Sequence, residues 1–197
     1  MKNIALATSI AGLAFMALNT AHAADGTISF EGNVVSTTCK VESGSKDPVV
    51  KMPSVASNQL ATVGAVSGRQ AFSLELSGCE VISTTVTTVP VSKVAVAFEA
   101  GPNVDLTTGM LKPAAAAAPP GGGAAPTVAT GVQIAILDPS DNSRIKIGSE
   151  QSRFVDIDNK LNGTGKATLR FASEYVATGA VTGGRTDTSV TYSLVYQ

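Results

Sequence analysis

Tryptophan is absent, and three tyrosines and six phenylalanines are the only aromatic residues in a chain of 197. That is poor material for the two aromatic girdles of an outer-membrane β-barrel. The single histidine, His22, falls in an N-terminal leader, so no imidazole remains beyond it to activate a serine or cysteine nucleophile or to complete a typical zinc site. Charged residues make up only 15% of the chain, the formal net charge is −1 and Lys and Arg nowhere cluster. A nucleic-acid or anionic-membrane partner is therefore without support. Beyond the leader no run approaches the roughly 20 apolar residues of a membrane-spanning helix.

Two cysteines are present, Cys39 and Cys79, with no C-x-x-C spacing. In an oxidising compartment they make one intramolecular disulfide, read as a plain structural staple and not as redox chemistry. The first residues identify the compartment. Lys2, an apolar run over 4–18 and the small-x-small sequence Ala21-His22-Ala23 form a secretory signal peptide over 1–23.

The chain beyond the leader is rich in Val, Thr, Ser and Gly, a composition that suits β-structure. Apolar residues alternate at Phe72, Leu74, Leu76, at Val94, Val96, Phe98 and at Val132, Ile134, Ile136. The alternation returns at Ile145 and Ile147, at Val155 and Ile157, at Leu169 and Phe171, and at Val190, Tyr192, Leu194, Tyr196. This period of two predicts half-buried strands. Turn formers separate them, including Ser77-Gly78, Asp138-Pro139-Ser140-Asp141-Asn142 and Asn162-Gly163. Many short strands with turns between them predict an antiparallel sandwich or barrel. Residues 54–66 fit a short helical turn. The Ala/Pro/Gly-rich stretch 113–126 cannot supply an unbroken ladder and reads as a surface loop.

Two other features carry less. Asp156 and Asp158 would face the same side of a strand, as a cation site or an acid/base pair requires, but a solvated strand face accounts for them and Asn159 beside them signals a turn. Gly121-Gly122-Gly123 lacks the lysine and the strand-to-helix context of a phosphate loop.

The two ends are more informative. In 25–35, Ile28, Phe30, Gly32 and Val34 fall on one face of an extended segment, as an ordinary first strand would also arrange them. At the other end the sequence stops one residue after the alternation over 190–196, and no spare segment is expected to cover the far side of that strand.

Several features together resemble the type 1 pilin family of chaperone-usher fimbrial subunits. They are Phe30-Glu31-Gly32-Asn33-Val34-Val35 leading to Cys39, Leu76-Ser77-Gly78-Cys79, Gly131-Val132-Gln133-Ile134, and a C-terminal pattern of Gly184, Val190, Tyr192, Leu194 and penultimate Tyr196. The Ala/Pro/Gly insertion departs from the family. The resemblance implies an all-β, incomplete immunoglobulin-like β-sandwich completed by a donor strand from another subunit. It divides the chain into the leader 1–23, a donor-strand arm 24–34 and a pilin domain 35–197.

In that frame Ile28, Phe30 and Val34 are the arm's anchors, and Gly32 stands where a side chain has little room. Val190, Tyr192 and Leu194 edge the acceptor groove, Gly184 permits close backbone approach, and Tyr196 and Gln197 face a chaperone. The implied partners are other copies of the chain, a periplasmic chaperone, an outer-membrane usher and a tip adhesin, with no cofactor, metal or catalysis. The implied destination is the cell surface, by way of the periplasm, where fimbriae support adhesion. The competing expectations are a self-complete secreted β-sandwich acting as a binding module, and a minor adaptor or adhesin.

Overall fold

The computed structural model describes residues 29, 39–79, 92–114, 124–158 and 165–197. The leader, the arm residues Ile28, Phe30, Gly32 and Val34, most of the Ala/Pro/Gly stretch and the Asn162-Gly163 turn lie outside them.

Two long strands form the spine. β2 (Val66–Cys79) pairs antiparallel with β9 (Gly165–Ala177), the first of the ten strands among the described residues, in chain order, being β1 (Lys40–Val41). In β2 the predicted alternation holds, with Leu74 and Leu76 turned inward and Glu75 exposed between them. The β2–β9 register shifts between Ser67 and Gln70 and again between Leu76 and Cys79. Each shift contains a glycine at positive φ, Gly68 at 68° and Gly78 at 58°, the backbone that a bulge requires and that a side chain disfavours.

Around the spine lie β6 (Val132–Leu137), β5 (Met110–Leu111) and β4 (Val104–Asp105), giving the order β1-β2-β9-β6-β5-β4, with β7 (Arg144–Ile145) also on β6. The second sheet has three strands in the order β10 (Tyr192–Tyr196), β3 (Lys93–Phe98), β8 (Val155–Asp156). All strand pairs are antiparallel. The core lies between the sheets, where Leu74, Leu169, Phe171, Ile134 and Ile136 meet Val94, Val96, Phe98 and Ile157. Phe171 is the pivot: its ring centroid is 5.3 Å from that of Phe72 and 5.3 Å, edge-on at 74°, from that of Phe98 across the sandwich. Each such side chain contributes about 1.5–3 kcal/mol on leaving water.

Some local expectations are refined. β6 is buried along its whole length, because Ala135 and Leu137 on its outer face sit in a second cluster with Met110, Ala172 and Val176. Residues 54–66 supply the short helical turn as a 3-10 helix, Ser57–Leu60, whose Leu60 plugs the core. Ile147 is buried but comes after β7 in a turn, not in a strand. The Asp138 to Asn142 turn is formed, and Asn142 takes φ 59°.

The disulfide joins Cys39 to Cys79. Pairing of Lys40 with Ser77 and of Val41 with Leu76 brings these two cysteines together at the β1–β2 edge.

Candidate functional site

The last strand has one satisfied edge and one that finds no partner strand among the described residues. Gln197 N–H donates to the Lys93 carbonyl at 3.0 Å, and Lys93 N–H donates back to the Gln197 main-chain oxygen at 2.9 Å. An antiparallel ladder alternates from such a pair, so Val195, Ser193 and Thr191 bond inward to β3. Glu99 N–H accordingly donates to the Thr191 carbonyl at 2.8 Å. The main-chain groups of Val190, Tyr192, Leu194 and Tyr196 therefore point away from β3. Their side chains are half-buried and pack against the core.

Beside this edge a cavity of about 670 Å³ opens. Its walls are residues 46–52 on one side and 186–190 with Tyr192 on the other, and its floor is apolar core: Phe72, Leu74, Phe98, Leu111, Ile134, Ile136 and Tyr175. A second cavity of about 560 Å³ continues it between Val41, Lys46 and Asp47 and the chain from Val190 to Leu194. The side chains at its floor belong to the core, and an apolar groove beside an edge that has no partner strand among the described residues is a place where another strand can be added. Within the groove the Thr188 hydroxyl is buried and has no hydrogen-bond partner among the described residues.

Two tyrosines lace the last strand to the chain around β1. The Tyr192 hydroxyl donates to the Lys46 carbonyl at 2.8 Å. The Tyr196 hydroxyl accepts the Cys39 N–H at 2.9 Å. Burial pushes both phenols above the ordinary value; Asp47 adds to this for Tyr192, while the Cys39 N–H pulls Tyr196 partly back.

Of the residues expected at the groove, Val190 and Tyr192 line both cavities and Leu194 the second. Tyr196 and Gln197 line neither; the Gln197 oxygen is engaged by the N–H groups of Ser92 and Lys93. Val190 precedes β10, because β3 ends at Phe98 and provides no residue opposite it. Gly184 lies away from the cavities. There Arg185 N–H donates to the Thr127 carbonyl and Ala129 N–H to the Arg185 carbonyl, and a methyl group on Gly184 would fall on the backbone of Thr127, Val128 and Ala129.

The facing wall over 46–52 carried no sequence signal, since Pro48 interrupts it and its contacts come from far along the chain. Asp156 stands opposite Lys93, and Asp158 pairs with Lys166. Among the described residues no cluster of three His, Cys, Asp or Glu side chains could hold a metal ion.

A family model described as "Fimbrial protein" matches residues 28–197. The chain is 36% identical over 180 residues to the major fimbrial subunit SMF-1 of Stenotrophomonas maltophilia, covering 89% of this chain and 95% of that protein. It is 34% identical over 194 residues to the F17 fimbrial protein of Escherichia coli, covering 98% and 94%. In fold it is similar to the crystal structure of the P pilus rod subunit PapA, with a TM-score of 0.57 at 18% identity over 81% of this chain and 99% of that one.

Proposed function

The chain belongs to the fimbrial protein family, and from that premise we propose that it polymerises by donor-strand exchange. It is a structural pilus subunit, exported to the cell surface, with an incomplete immunoglobulin-like sandwich as its fold and no enzymatic role. The donor is the N-terminal arm of the next copy, with Ile28, Phe30 and Val34 as anchors and Gly32 between the last two. The acceptor is the groove beside Val190, Tyr192 and Leu194.

The observation that carries this reading is the coincidence of a strand edge that has no partner strand among the described residues with an apolar cavity along it. A strand laid on that edge satisfies the outward main-chain groups of Val190, Tyr192, Leu194 and Tyr196 while its alternate side chains enter the groove. Residues 28–34 and 190–196 are equal in number, and each spans about 20 Å as a strand. Before polymerisation a periplasmic chaperone occupies the same edge, and an outer-membrane usher is where the exchange takes place. A tip adhesin ends the fibre.

Phe30→Asp tests the arm, since it places a charge where an apolar anchor belongs. Heat-resistant, non-covalent multimers are lost in this variant while chaperone binding is kept. Unchanged multimers contradict the assignment.

A further inference from the structure

The two walls of the groove are held in different ways. The wall over 186–191 is tied to the body by main chain, with Ala114 N–H donating to the Asp187 carbonyl at 2.7 Å and Glu99 N–H to the Thr191 carbonyl at 2.8 Å. The opposite wall, 46–52, makes no main-chain to main-chain hydrogen bond among the described residues. Side chains hold it at both ends: the Tyr192 hydroxyl donates to the Lys46 carbonyl, and the Ser173 hydroxyl contacts the Met52 sulfur at 3.0 Å. Where such a wall stands is set by the side chains that reach it.

Tyr192 and Lys46 line both cavities, so their bond lies where the two meet, and the groove is open on either side of it. The ring of Tyr192 is half-buried and packed against the core, while the bond of its hydroxyl to Lys46 is exposed. A tyrosine side chain with one hydrogen bond reaches about two inter-strand spacings of roughly 4.8 Å each. Two spacings are the distance between strands that flank a single missing one.

We propose that Tyr192 is a strut: by bonding Lys46 it holds the wall over 46–52 one strand's width away from β10, so that the groove is pre-shaped for an arm. This rests on the donor-strand reading above and adds to it a positioning residue. Pre-shaping raises the fraction of molecules competent to bind, which appears in the association rate. A clasp that had to open before entry would have the opposite effect on that rate.

Thr168 provides the control. Its hydroxyl donates to the Glu75 carboxylate at 2.6 Å, and it lines neither cavity. The chain and its Tyr192→Phe and Thr168→Val variants are refolded from denaturant and mixed with a fluorescent peptide of residues 25–35. Tyr192→Phe associates about fivefold more slowly, the equivalent of one net hydrogen bond, while Thr168→Val keeps the parent rate. Equal or faster association by Tyr192→Phe overturns the strut.

A second measurement needs no peptide. Spin labels at Val49→Cys and Glu99→Cys, both exposed positions, report the spacing of wall and body by their dipolar broadening. The distribution is narrow in the parent and in Thr168→Val, and broad or shortened in Tyr192→Phe. If the parent takes no peptide yet the label distribution still responds to Tyr192→Phe alone, the donor-strand reading fails and the strut stands. A distribution indifferent to Tyr192 removes the strut.

Discussion

The Tyr196 hydroxyl accepts the backbone N–H of Cys39 at 2.9 Å, joining the last strand to the disulfide across 157 positions of sequence. With Tyr192 on Lys46, it makes the chain around β1 and the C-terminal strand a single structural unit on either side of the groove.

That arrangement has a pH signature. Both phenols titrate above the ordinary 10.0 because burial favours their neutral form, so the folded chain holds protons that the unfolded chain releases. Stability contributed by these groups is complete below about pH 10 and is lost as the pH rises through the folded-state values. The urea midpoint is expected to be level in this respect up to about pH 10 and to fall above it. The double variant Tyr192→Phe/Tyr196→Phe flattens the alkaline fall.

Gly184→Ala puts a methyl group on the backbone of Thr127, Val128 and Ala129, where no flexible side chain can yield. The expected loss is about 1–3 kcal/mol in chemical denaturation. Gly183→Ala is the matched control, since nothing lies within 4 Å of a methyl group there. It is expected to change stability by less than about 0.5 kcal/mol.

Replacing Cys39 and Cys79 together by serine opens a closed loop of 40 residues and costs about 2–4 kcal/mol. Dithiothreitol brings the parent chain to the same denaturation midpoint as the variant. A midpoint unmoved by reductant contradicts a stabilising role for the bridge.

Glu174 is buried on the outer face of the large sheet, where Arg69 meets one carboxylate oxygen at 2.7 Å and Arg144 the other at 3.7 Å. Glu174→Ala leaves both guanidinium groups without that partner. Because they are about half exposed, the expected cost is at the low end for a broken buried pair, about 1–3 kcal/mol by denaturation.

Strands with one wet face were the most legible elements in the sequence. Leu74 and Leu76 alternate with exposed Glu75, and the period of two comes directly from that asymmetry. β6 reads the same way at Val132, Ile134 and Ile136, yet its other face is buried too. Alanine at 135 and the end position Leu137 hid the second cluster. At the groove, the C-terminal side was legible through Val190, Tyr192 and Leu194, whose outward edge agrees with their alternation.

The facing wall was not legible, because nothing local marks 46–52 as a boundary: its anchors Tyr192 and Ser173 lie more than a hundred positions away. Gly184 could be read as a place of close approach. Its neighbours, Thr127 to Ala129, come after the Ala/Pro/Gly stretch and are paired with it only by the fold.

The proposal that the groove accepts an arm is tested most directly by supplying the arm within one chain. A copy of residues 25–35 is appended after Gln197 through a flexible linker, and thermal unfolding is compared with that of the unextended chain. The expected product is a monomer whose melting temperature is higher by on the order of 10 °C or more, with Phe30→Asp in the appended copy abolishing the gain. An extended chain that melts with the parent, with or without that substitution, would contradict the proposal.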